Sequence, residues 1–105
     1  MTPLEHIPLG DVIAERVLDA TRDGESYVAR VRLGRPVKPE GAPDYRCPYQ
    51  VQGIGDDVVR SASGEDSMQA LELALRMVAA ELYFRYKDFV FTWLEDPDIG
   101  FPKPG

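Results

Sequence analysis

At 105 residues, with 44% hydrophobic and 29% charged side chains, the chain has the composition of one folded domain and is too short for two. Eighteen acidic against twelve basic residues give a net charge of −6, which repels phosphate backbones and anionic headgroups and so argues against nucleic-acid and membrane partners. A lone cysteine, Cys47, excludes an intramolecular disulfide, and Met1 to Gly10 holds no basic stretch followed by an apolar run, so the expected setting is the cytoplasm.

In chain order, Val12 to Asp19 reads as a first strand, with β-branched Val12, Ile13 and Val17. The next segment, Thr21-Arg22-Asp23-Gly24-Glu25, is a turn, because Asp-Gly suits the positive φ of a tight hairpin. Ser26 to Leu33 alternates: Tyr27, Ala29, Val31 and Leu33 fall on one side, and Arg30 and Arg32 on the other with Val28. Gly34 to Asp44 holds three prolines and two glycines and reads as a loop. Alternation returns in Tyr45 to Gln52, where Tyr45, Cys47, Tyr49 and Val51 share a side. Pro48 cannot donate to a ladder and places this strand at an edge or on a bulge. Gly53 to Asp57 turns the chain, and Val58-Val59-Arg60 offers a short fourth strand.

A helix is expected from about Asp66 to about Tyr86, capped by Ser63, Asp66 or Ser67. Met68, Leu71, Leu75, Val78 and Leu82 repeat at steps of three and four and make one apolar stripe. Glu72 with Arg76, and Glu81 with Arg85, stand four apart in the favourable order. A second stripe, Leu73, Met77, Ala80 and Phe84, lies nearly opposite the first. One sheet needs only one stripe, so the second is a candidate contact surface. Three coverings stand open: the C-terminal segment with Trp93, Ile99 and Phe101, a second copy of the chain, or a different protein. Phe89 to Leu94 suggests a last strand, and Glu95 to Gly105, like residues 1–10, reads as irregular.

Candidate chemistry is sparse. Cys47 falls on the apolar side of a strand and His6 in the leader, so they do not read as a nucleophile and its base. Asp56-Asp57, with Glu65-Asp66 nearby, lacks the alternating spacing of a calcium loop and reads as turn and cap residues. Arg30, Arg32 and Arg46 share the outer faces of two strands. They form either a patch for an anion or cross-strand pairs with Glu15, Asp19 or Glu25. Gly53-x-Gly55 is too short for a dinucleotide fingerprint, and none of the familiar hydrolase, phosphate-loop or zinc motifs occurs. The expectation is therefore no catalytic residue, no metal and no cofactor.

Tyr45-Arg46-Cys47-Pro48-Tyr49-Gln50-Val51-Gln52-Gly53-Ile54-Gly55-Asp56-Asp57, Asp66-Ser67-Met68-Gln69-Ala70-Leu71-Glu72-Leu73-Ala74-Leu75 and Gly100-Phe101-Pro102 together resemble a bacterial family of small proteins described as a domain of unknown function. The resemblance covers most of the chain. It implies a bacterial cytoplasmic protein and assigns no activity and no functional residue. The whole reading is one α+β domain over residues 1–105: an antiparallel sheet of four or five strands packed on one long helix in the C-terminal half. Its function is that of a small acidic interaction module, of immunity or adaptor type, binding itself or another protein. The alternative is an anion or small-molecule site on the three arginines, with Tyr49 and the Asp56-Asp57 turn.

Overall fold

The computed structural model describes residues 7–103. Its elements are β1 (Val12–Arg22), β2 (Glu25–Gly34), β3 (Tyr45–Gln52), β4 (Arg60–Gly64), helix α1 (Ser67–Ala80), a π-helical turn (Glu81–Arg85) and β5 (Val90–Thr92). The strands form one sheet in the order β4-β3-β2-β1-β5, and every pairing is antiparallel.

The expected hairpin is present and longer than anticipated. β1 runs on to Arg22, which pairs with Glu25 across a two-residue Asp23-Gly24 loop. Both loop residues have positive φ, 53° and 80°, the twist that matches two right-handed strands; glycine takes it at no steric cost. Alternation in β2 and β3 resolves as expected, with Ala29, Val31 and Leu33 buried beside Cys47, Tyr49 and Val51.

Two strand assignments change. The fourth strand begins at Arg60 rather than ending there, so Val58 and Val59 belong to the connection and Ser63 to β4. β3 is an interior strand between β2 and β4, although it contains Pro48. Arg46 uses its backbone N–H and C=O on Val37. Two residues on, Pro48 turns its nitrogen to that same side. There β2 has ended at Gly34, and the last β2–β3 pair is Leu33 with Tyr49. The missing donor falls in a gap of the ladder.

The helix spans fourteen α-helical residues and five π-helical ones. Asp66 caps it by accepting from the Gln69 N–H at 2.8 Å, while the Gln69 side chain reaches back to donate no proton but accept from the Glu65 N–H at 2.7 Å, a reciprocal cap. Its buried face departs from the expected stripe. Ala70, Ala74, Val78 and Leu82 lie in one cluster with Leu18, Val31, Cys47, Tyr49 and Ala62, whereas Met68 is 76% exposed. Small residues mark a close approach: a Cβ on Gly64, at the end of β4, would stand 2.3 Å from the Ala70 nitrogen. The last strand is shorter than expected, Val90–Thr92, and pairs with β1 only at Asp19 to Thr21. Beyond it the chain turns at Trp93–Asp96 and buries Ile99 in the core cluster.

Candidate functional site

The second helix stripe is neither fully covered nor fully free. Leu73 packs partly against the core and Ala80 is half-buried. Met77 and Phe84 are 41% and 66% exposed. The C-terminal segment does fold back, but against β1 and the Leu75 flank of the helix, where Phe101 and Leu75 line one cleft. Ile99 lies with Leu82, Phe89 and Phe91. Of the three coverings open to the sequence, this one is used elsewhere, and Met77 and Phe84 stay at the surface.

The three outer-face arginines do not converge. Arg32 stands opposite Gln50, and Arg46 lies four residues farther along β3, opposite Ser63. Arg30 and Arg32 both meet Glu15 on the neighbouring strand, at 3.8 and 2.8 Å. Arg46 meets Asp44 at 3.0 Å. Glu15 is one of the cross-strand partners the alternation had offered. Cys47 is fully buried, and burial pushes its thiol up to about 11, so it is not a thiolate at neutral pH. His6, the single histidine, lies outside the described residues.

The densest polar constellation joins the β3–β4 connection to the π-turn. Asp56 Oδ2 accepts from Arg60 Nη2 at 3.0 Å and from Arg85 Nη2 at 2.6 Å. Glu81 lies 3.8 Å from Arg60 and 3.9 Å from Arg85, closing a ring of two carboxylates and two guanidiniums. The Tyr86 N–H donates to the Glu81 carbonyl five residues back, the bond that defines the π-turn. Hydrogen bonds from Arg60, from the Val58 N–H and from Arg85 hold the Asp56 carboxyl well below the usual carboxylate range. Beneath the ring, burial and then the negative charge of Glu81 push the Tyr49 phenol up to about 12. Asp57 serves the same connection: its carboxylate accepts from the Gly53 N–H and its carbonyl from the Gln50 side chain. The charges are matched one for one, and the ring ties the β3–β4 connection to the helix end. Of its members, the sequence pairs only Glu81 with Arg85; Asp56 reads as a turn residue, named also in the alternative ligand site, and Arg60 as the end of a short strand.

Among the described residues, no group of three metal-ligating side chains gathers, and no helix is long and apolar enough to cross a membrane.

A family model described as a domain of unknown function, DUF6968, matches residues 14–103. The chain belongs to that family, and its function is unknown. No curated protein and no solved structure matches the sequence.

Proposed function

We propose that this member of the family is a protein-interaction module whose contact surface is the helix row Leu73, Met77, Ala80 and Phe84, and that the occupant is a second copy of the chain. The observation that carries the reading is the exposure of Met77 and Phe84 on a helix whose other flank the C-terminal segment already covers. The row steps by four, three and four, the spacing of a helix–helix seam. A two-fold axis between residues 78 and 79 sets Met77 opposite Ala80 of the second copy and Leu73 opposite its Phe84, so a long side chain meets a small one at the centre, two large ones meet on either side of it, and each copy supplies the same surface. In this reading the helix lies on the sheet through its alanine row and offers the next face outward. A seam of four residues is small beside the roughly 1,000 Å² of a stable interface, so association is weak and concentration-dependent. The setting is a bacterial cytoplasm.

Light scattering over a dilution series tests it. The wild-type mass rises from one chain toward two, and the double variant Met77→Glu, Phe84→Glu holds the mass of one chain with an unchanged melting temperature. A wild-type mass of one chain up to millimolar concentration contradicts self-association.

A further inference from the structure

The geometry points to a binding site for a small carboxylate with a compact apolar body, in the cleft between the N-terminal half of β1 and the C-terminal segment, with Arg16 as its anion-binding residue. The cleft has a volume of about 230 Å³ and is lined by Ala14, Val31, Leu33, Leu75, Phe101 and Pro102, with Arg16 among them. An apolar cavity of about 150 Å³ holds a benzene-sized molecule, so this one has room for such a body and a carboxylate beside it.

Among the described residues, Arg16 is the one arginine that lines this cleft. It sits on the core side of β1, opposite Val31. Its guanidinium lies 3.8 Å over the Trp93 ring and 5.0 Å from the Phe101 ring. Nη1 donates to the Ile99 carbonyl at 3.0 Å. That uses one of five donors. Among the described residues no carboxylate pairs with it, nor with Arg22, which stacks on Tyr27 and Phe89 away from this cleft, whereas Arg30, Arg32, Arg35, Arg46, Arg60, Arg76 and Arg85 each meet one. Glu15, at the rim of the cleft, is turned to the opposite face, where Arg30 and Arg32 hold it. A guanidinium oriented by two rings and a carbonyl, short of a counter-ion and bordering an apolar cleft, matches a ligand that brings one carboxylate and an apolar body. The site is separate from the helix row and does not depend on self-association.

Trp93 is the single tryptophan, so its fluorescence reports on this corner directly. The probes are 3-methylbutanoate, its neutral amide, and acetate. We expect a saturable change with 3-methylbutanoate in the millimolar range, none with the amide, and binding of acetate at least about tenfold weaker for lack of the apolar body. Arg16→Met abolishes the response. Ala14→Leu fills the cleft without touching the guanidinium; it weakens binding while the unliganded Trp93 spectrum stays as in wild type, which separates loss of the site from loss of the fold. Equal responses to acid and amide, a response that persists in Arg16→Met, or no saturable response to the acid overturns the assignment.

Discussion

The helix carries two apolar rows that differ in side-chain size as well as exposure. The buried row is mostly small, Ala70, Ala74 and Val78 before Leu82, and the exposed row holds the larger Met77 and Phe84. A helix that approaches its neighbours closely needs small residues at the contact, as Gly64 beside Ala70 shows. Hydropathy alone ranks Met77 and Phe84 above alanine for burial. The backbone approach reverses that order and leaves the large side chains outward.

The widest predicted gap between the rows is in stability. Leu82→Ala opens a cavity in the core cluster and costs about 3 kcal/mol, while Phe84→Ala, which removes a bulkier group two residues away, costs less than about 0.5 kcal/mol. Urea unfolding of the two variants measures this, and equal losses would break the distinction. Next in size is overpacking. Ala74→Leu forces a larger side chain into the close approach and costs about 2 kcal/mol, whereas Ala80→Leu in the exposed row is nearly neutral to unfolding.

Smaller effects sharpen the picture where the buried row ends, at the ring above Tyr49. The folded phenol value is raised, so stability is complete below the unfolded value of about 10 and is lost as pH rises toward the folded value of about 12. Tyr49→Phe flattens that alkaline fall and costs about 1 kcal/mol at neutral pH, measured by denaturant titration at several pH values. The smallest effect is at the exposed side of the ring. Asp56 is depressed when folded, so its contribution is present above the unfolded carboxylate value of about 3.9 and is lost as pH falls below it. Asp56→Asn makes the acid fall below about pH 4 shallower, and an unchanged acid limb would show that the ring adds nothing to folding.

Local signals carried most of the fold. Asp23-Gly24 marks the hairpin, the alternation of β2 and β3 places their buried sides, and Asp66, one of the three caps the sequence offers, marks the start of the helix. What stayed hidden depended on neighbours distant in sequence. The buried face of the helix turns toward its alanines, which weigh little in a periodicity argument. Pro48 sits inside the sheet because β2 ends opposite it, a fact of pairing that one strand cannot reveal. Arg85 reaches Asp56 across 29 positions, and Arg16 acquires Trp93 and Phe101 only when the C-terminal segment returns along β1. The candidate surface at Met77 and Phe84 was legible as a pattern, but its exposure needed the path of that segment.

The methionine methyl groups offer the most direct measurement of the proposed contact, because the helix carries an internal control. Met68 is more exposed than Met77 yet lies outside the row. In methyl NMR spectra recorded across a dilution series, the account predicts that the Met77 resonance moves with protein concentration while that of Met68 stays fixed. A Met77 resonance that does not move, or a Met68 resonance that moves equally, contradicts it.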